Sequence, residues 1–249
     1  MTAPIFWVDA ATLVSVTDGA SVVLDGPEGR HAATVRRIGA GEQVDLSDGA
    51  GRVARCIVES AERDLLRLVV ESVENLPVPV LSFVLVQALA KNGRDELAVE
   101  TATEVGVDGI VPWQAERSVV QWRGERGEKS RRKWVDTART AAKQSRRVRV
   151  PPIEAAVTTS QLVRRVQQPE VSAAFVLHES ARRQLSSVTL PESGEVLLVV
   201  GPEGGVSPHE LDVLTEAGAR PVLLGPEVLR SSTAGPAAIV ALAVRSGRW

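Results

Sequence analysis

Over the first 75 residues, apolar positions fall in short alternating runs separated by tight turns. Ser21–Leu24, Gln43–Leu46, Val53–Glu59 and Arg67–Val73 read as strands. Asp25-Gly26-Pro27, Gly39-Ala40-Gly41 and Ser47-Asp48-Gly49 read as turns between them. Several short strands with tight turns predict a small barrel. His31–Ile38 breaks the pattern: Ala33, Val35 and the flanking charges predict a short helix. Glu74–Pro79, with two prolines one residue apart, predicts a stiff linker. From Val80 the period lengthens. Apolar strands at Leu81–Gln87, Gly109–Val111, Ala173–Leu177, Val196–Val200 and Pro221–Leu224 alternate with amphipathic stretches at Arg94–Val105, Lys129–Ser145, Ser160–Gln167, Pro208–Ala217 and Thr233–Arg245. That alternation predicts an α/β domain, so the expected organisation is a β domain over residues 1–75 and an α/β domain over 76–249.

Two of the predicted strands run into glycine-rich turns. Val196–Val200 meets Gly201-Pro-Glu-Gly-Gly205, and a helix start follows, with Ser207 as cap, Pro208 in the first helical position and Glu210 completing a capping box. Pro221–Leu224 ends at Gly225, and a loop through Arg230 leads into an Ala- and Val-rich helix. Ser232 is the expected cap there, with Pro236 in the first turn. Bare backbone at a strand end lets a ligand approach closely, and ligands of open α/β sheets bind outside the carboxyl ends of strands. Each turn alone is also an ordinary strand–helix connection. Neither matches the dinucleotide fingerprint or the phosphate loop, which argues against NAD and ATP.

Composition narrows the class. The 249 residues are 44% hydrophobic, enough for a sizeable core, and no apolar run reaches the roughly 20 residues of a membrane helix. The N-terminus lacks a secretory pattern, and Cys56 is the one cysteine, so a cytoplasmic setting is expected and a cysteine-rich metal site is excluded. The three histidines lie far apart in sequence, so no metal is expected. Charge is uneven. Residues 123–149 hold eleven Lys/Arg and three Asp/Glu, a local net of +8 within an overall −2, which leaves −10 elsewhere. Such a block is either a polyanion footprint or a solvated helix face. Trp122 and Trp134 interleave with it and could stack on bases, although burial in a core is the commoner outcome for tryptophan.

The two glycine segments, Gly201–Gly205 with Glu210 and Leu224-Gly225…Val228-Leu229-Arg230…Thr233-Ala234, resemble the RsmE family, the 16S ribosomal RNA (uracil-N3)-methyltransferases of the SPOUT superfamily. Ala88-Leu-Ala-Lys91 with Arg94 and Glu96, Thr103–Val107, Glu116-Arg-Ser118, Ala142–Ser145 with Arg147, Val150-Pro151 and Leu177-His-Glu179 agree in order and spacing. In the first domain His31 and Val35-Arg36-Arg37 agree as well, so the resemblance spans nearly the whole chain. It implies a PUA-like barrel that helps grip RNA, followed by an α/β domain with a C-terminal trefoil knot. It further implies S-adenosylmethionine bound in the knot loops, 16S rRNA as substrate within the 30S subunit, and a homodimer. The residues implied at the cofactor are Leu177, His178, Val200, Gly201, Gly204, Gly205, Leu224, Gly225, Val228, Leu229 and Ser231. Those implied for RNA are Arg30, Arg36 and Arg37 from the barrel, Lys91 and Arg94, and Arg131, Arg132, Arg146 and Arg147 from the basic block of Arg123 to Arg149. The chain departs from the family pattern at Ser232 (usually Glu), Thr101 (often Lys), Val206 (usually larger) and Asn92-Gly93 (usually Gly-Asp).

Methylation at N3 of uracil needs an aligned nucleophile and a way for the N3 proton to leave. Arg230 is the candidate to stabilise the resulting ring charge, or else to bind the target phosphate. Glu203 is the candidate base, with His178 and Glu179 as alternatives. Two further readings remain: a related enzyme acting on another RNA position such as a ribose hydroxyl, and a non-catalytic ribosome-assembly factor, which the serine at 232 favours.

Overall fold

A computed structural model describes residues 3–249. The chain forms two compact units, one comprising residues up to Val78 together with Ala142–Val150, the other Pro79–Ala141 together with Pro151–Trp249.

The first unit is built on β1 (Ile5–Trp7), β2 (Ser21–Leu24), β3 (Gln43–Ser47), β4 (Arg52–Glu62) and β5 (Leu65–Asn75), in the order β1-β3-β4-β5-β2. The β1–β3 pair is parallel and the others antiparallel. Two short helices, α1 (Ala10–Val14) and α2 (Gly26–Arg30), complete it. Alternation along β2 and β5 sends Val22, Leu24, Leu66, Leu68 and Val70 into one core with Phe6, Leu13, Val44 and Leu46. β1 and α1 escape sequence reading because a three-residue strand and a helix burying only Leu13 carry no measurable period. Asp25-Gly26-Pro27 opens a helix rather than a turn: Pro27 sits at its start, and the helix continues into a π-turn over His31–Val35. Glu74 and Asn75 belong to β5 rather than to a linker.

Residues 142–150 are tied into this unit by packing. Ala142, Val148 and Val150 gather with Ile5 and Trp7, and Ser47 Oγ donates to the Val148 carbonyl at 2.9 Å. The Arg149 guanidinium donates to the carbonyls of Ala50 and Leu76, and Lys143 pairs with Glu28 at 2.5 Å. Part of the basic block is therefore consumed by the fold.

Cys56 lies in this core, 1% exposed. Burial, with smaller contributions from the Asp45 and Glu71 charges, pushes its thiol up to about 12. Only the thiolate attacks electrophiles, so native protein at pH 8 is expected to resist iodoacetamide for hours, with one equivalent labelled on unfolding in urea. Rapid labelling of the folded protein, followed by mass spectrometry, would contradict this.

The second unit carries a six-stranded, all-parallel sheet. Its strands are β6 (Leu81–Ala88), β7 (Gly109–Gln114), β8 (Val157–Thr158), β9 (Val171–Leu177), β10 (Gly194–Val200) and β11 (Arg220–Val222), ordered β11-β9-β10-β6-β7-β8. The helices are α3 (Arg94–Glu104), α4 (Gly124–Gln144), α5 (Thr159–Val166), α6 (Pro208–Glu216) and α7 (Ser231–Arg245). One face of the sheet (Val84, Val86, Trp113, Val176, Val199) packs on Leu162 and Val166 of α5 and Leu214 of α6. The other receives α7. There a Cβ on Gly235 would come 2.7 Å from Leu85, so glycine is what lets α7 lie against the central strands. Strands covered on both faces read as unbroken apolar runs, which is why β10 is legible.

The connection from β9 to β10 is tied to two later segments of the chain. Leu223, just after β11, donates to the Arg183 carbonyl and accepts from Leu185 N–H, both at 2.8 Å. At the far end of α7, Arg245 donates to the carbonyls of Leu185 and Val188. These bonds fasten the segment after β11 and the end of α7 to one connection, in the C-terminal region where a SPOUT-type fold carries its trefoil knot, an exception to the general rule that connections do not thread. α7 starts at Ser231 with Arg230 as its cap residue. Ser232 is thus not the cap but a buried residue of the first turn, and Pro236 lies in the second turn rather than the first.

Candidate active site

The carboxyl ends of β9 and β10 open into a cleft of about 740 Å³, within the roughly 300–1,000 Å³ usual for small-molecule sites. Its walls are Leu177–Ser180 after β9, Val200–Val206 after β10, the first turns of α6, and Val228–Ser231 with Ala234 at the start of α7. A smaller pocket of about 170 Å³ adjoins it, sharing Leu177, His178, Glu179, Val228, Leu229 and Ala234 and adding Leu223–Glu227. The two glycine turns singled out in the sequence thus line two adjoining pockets with shared walls. All eleven residues expected at a cofactor line one or both parts, and Glu203 and Arg230 line the main cleft.

The turn after β10 is held closely. A Cβ on Gly201 would meet Val206 Cγ2 at 2.8 Å and Val206 N at 3.0 Å, so the loop can fold back only over glycine. Gly201→Ala is therefore expected to push the 202–206 segment into the cleft and weaken cofactor binding at least about tenfold, roughly 1.4 kcal/mol. Titration calorimetry with S-adenosylmethionine checks this; unchanged affinity would show that the loop has room.

Beneath the loop, Ser207 and Glu210 form the expected capping box: Ser207 Oγ accepts from Glu210 N–H at 3.1 Å, and Glu210 Oε2 accepts from Ser207 N–H at 3.1 Å. The fully buried Glu210 carboxylate also accepts from Glu116 N–H and Thr159 Oγ1, each at 2.8 Å, and Ser207 Oγ donates to Glu116 Oε2 at 2.6 Å. Three segments remote in sequence are fastened at this point.

Charges gather on one side. Arg94 stands 3.5 Å from Glu203, and Arg117 donates to the Gly204 carbonyl at 2.9 Å. Arg94 was expected at RNA and stands in the cleft wall. Arg117 was missed as a site residue, although its motif Glu116-Arg-Ser118 was legible. Next to Arg94, burial raises the Asp95 carboxyl above its ordinary range, against the N–H donors of Ala90 and Glu96 that fix the loop after β6. His178 Nδ1 lies 2.8 Å from Ser180 Oγ. Arg230 is exposed and has no ion-pair partner among the described residues. Ser231 Oγ is buried in the cleft wall without a hydrogen-bond partner, a polar atom that a bound molecule can satisfy. Ser232 does not line the cleft, so the departure there removes no group from its wall.

The remaining residues expected at RNA differ in how free their side chains are. Arg30, Arg36, Arg37, Lys91 and Arg132 are exposed. Arg131 pairs with Glu128 and donates to the Ile153 carbonyl, and Arg146 and Arg147 are engaged within the protein. Trp122 and Trp134 meet edge-to-face at 5.0 Å and are 9% and 1% exposed, so they form core rather than a stacking platform. No group of three or more His, Cys, Asp or Glu is placed to hold a metal, and no helix is long and apolar enough to cross a membrane, among the described residues.

Family comparisons agree with this architecture. Residues 77–243 match the RNA methyltransferase domain model and residues 24–71 the RNA methyltransferase PUA domain model. A relative from Mycobacterium tuberculosis named ribosomal RNA small subunit methyltransferase E is 48% identical over the whole chain and 94% of its own length. The structure of the protein of that name from Neisseria gonorrhoeae, bound to S-adenosylmethionine, superposes with a TM-score of 0.83 at 26% identity over 98% of both chains. A putative methyltransferase from Legionella pneumophila, also with S-adenosylmethionine bound, gives 0.80 at 26% identity over 98% of both. With both domain models matched in order and nearly half its residues shared with a relative of that name, the chain belongs to the RsmE family of ribosomal RNA small subunit methyltransferases.

Proposed function

We propose that this protein transfers a methyl group from S-adenosylmethionine to N3 of a specific uridine in 16S ribosomal RNA. The observation that carries the reading is that the two glycine turns line adjoining pockets with shared walls, with Arg230 in the larger one. Its volume, its backbone-rich walls and the unpaired Ser231 Oγ suit an adenosine-bearing ligand. Leu177, His178, Val200, Gly201, Gly204, Gly205, Leu224, Gly225, Val228, Leu229 and Ser231 would hold it.

When bound, S-adenosylmethionine supplies a methyl carbon on a cationic sulfur. The protein's part is to align the uracil and manage one proton. As the N3–C bond forms and the C–S bond breaks, sulfur keeps the bonding pair and N3–H must give up its proton. Glu203, held by Arg94, accepts that proton. Arg230 donates to a uracil carbonyl oxygen and stabilises the charge that builds there; its guanidinium cannot itself deprotonate. Exposed Arg30, Arg36, Arg37, Lys91 and Arg132 are left to contact phosphates, with a salt-dependent affinity.

Incubation with 16S rRNA or 30S particles and S-adenosylmethionine, followed by nucleoside mass spectrometry, should yield 3-methyluridine alone. A ribose-methylated nucleoside would move the reading to another RNA position. Cofactor binding with no product on either substrate would favour an assembly factor. Family membership also supports the assembled 30S subunit as substrate and a homodimer as the working form. Relative rates on the two substrates and light scattering test these.

A further inference from the structure

A second cavity, of about 820 Å³, opens on the other side of the first turns of α6. Pro208, Leu211 and Asp212 line the cofactor cleft, whereas His209 and Val213 line this one. The loop after β7 divides in the same way, with Arg117 in the cleft wall and Glu116 in the wall of the second cavity. The two spaces share a partition, stiffened by the hydrogen bonds among Glu116, Ser207 and Glu210. The second cavity sits at the carboxyl ends of β7 and β8, where parallel sheets place ligands.

Its lining combines two chemistries. Ala115, Val163 and Val213 supply an apolar surface. Arg123 and Arg164 supply cations and His209 an imidazole ring, all three exposed, and neither arginine has an ion-pair partner among the described residues. Gln114 accepts the Trp122 N–H at 3.0 Å through its oxygen, which leaves its amide N–H groups to donate. The one carboxylate in the lining, Glu116, has an oxygen already engaged by Ser207. An apolar surface, amide donors and a pair of unpaired arginines match a nucleobase and its phosphate.

We infer that this cavity binds a nucleotide of the substrate RNA flanking the methylated uridine, with the phosphate on Arg123 and Arg164 and the base against Ala115, Val163 and Val213. The inference rests on the reading of the neighbouring cleft as the methyl-transfer site, and extends it to how the strand is threaded past that site. A free nucleoside phosphate shares this chemistry, so the test separates the two sources.

The test compares wild type, the pair Arg123→Ala/Arg164→Ala, and Ser160→Trp, which blocks the cavity without changing charge. Anisotropy of a labelled oligoribonucleotide carrying the target uridine is followed against salt, alongside KM for RNA and calorimetry with S-adenosylmethionine and with uridine and adenosine 5′-monophosphates. The paired variant is expected to bind RNA at least about tenfold more weakly and to flatten the salt slope by about 1–2, one per lost phosphate contact. Ser160→Trp should raise KM for RNA as well, and cofactor affinity should stay put in both variants. RNA affinity and slope equal to wild type overturn the inference. So does a free monophosphate that binds wild type and is lost in the pair without any effect on RNA, which makes the cavity a small-molecule site. If wild type methylates nothing, the functional reading fails, but anisotropy still decides whether the cavity holds RNA.

Discussion

Replacing Arg230 with alanine is expected to lower kcat by about 10²–10³, the usual cost of deleting one donor aimed at developing charge, while leaving S-adenosylmethionine affinity unchanged. The backbone of Arg230 is anchored: its carbonyl accepts the N–H groups of Thr233 and Ala234, and Ser231 and Ser232 behind it are buried. Its side chain is exposed and unpaired among the described residues. Truncation therefore removes a free guanidinium without loosening α7, and thermal stability should move by less than about 0.5 kcal/mol, as at ordinary surface sites. Arg230→Lys keeps the charge but loses the planar pair of donors, so only partial rescue is expected. Single-turnover kinetics at saturating RNA, with calorimetry for the cofactor, distinguish the alternatives. A loss confined to KM for RNA would make Arg230 a phosphate ligand, and a variant with wild-type kcat and KM would remove it from the reaction.

How much of this was legible in the sequence follows from what each signal depends on. β6, β9 and β10 were legible because both faces of the sheet are covered, so their central residues form apolar runs at Phe83–Val86, Ala173–Leu177 and Val196–Val200. The Ser207–Glu210 capping box was legible because it is a local chemical rule, and the structure repeats it bond for bond. Ser232 misled for the converse reason. A hydroxyl just before an apolar helix looks like a cap, but the helix begins at Ser231, two residues before the expected Thr233, and makes no side-chain cap. Pro236 then falls in the helix interior, tolerated where Gly235 and α7 press on Leu85 and Val200.

Charge was the poorest guide. The basic block from Arg123 to Arg149 reads as one feature, but a one-dimensional count cannot tell a solvated cation from one turned inward. Lys143 pairs with Glu28, Arg149 serves the carbonyls of Ala50 and Leu76, and Arg131 serves Ile153. Arg117, outside the block and next to the carboxylate of Glu116 in sequence, is the cation that donates to the Gly204 carbonyl of the GPEGG turn. The second cavity was illegible for a related reason: its residues come from β7 and the loop after it, from β8 and α5, and from α6, and only folding assembles them.

Glu210→Ala is expected to destabilise the second unit by about 3 kcal/mol, because one buried donor and two half-buried ones, at roughly 1–3 kcal/mol for a buried donor and less for the others, lose their acceptor. The carboxylate is 0% exposed and serves Ser207 N–H, Glu116 N–H and Thr159 Oγ1. Ser207→Ala, which removes the hydroxyl contribution to the cap, should cost nearer 1 kcal/mol, and its additional loss of the Glu116 contact adds little because Glu116 is exposed. The distinction lies in what Glu210 joins. A cap alone secures α6, whereas this carboxylate also fixes the loop after β7 and the start of α5, hence the partition between the two cavities. Cofactor binding should therefore fall with stability in Glu210→Ala, even at temperatures where the variant is fully folded, and Glu210→Gln should recover part of both. Urea denaturation paired with calorimetry reads the two effects separately. A Glu210→Ala protein that loses less than about 1 kcal/mol, the worth of a single ordinary hydrogen bond, would show that the junction is held by packing rather than by the carboxylate.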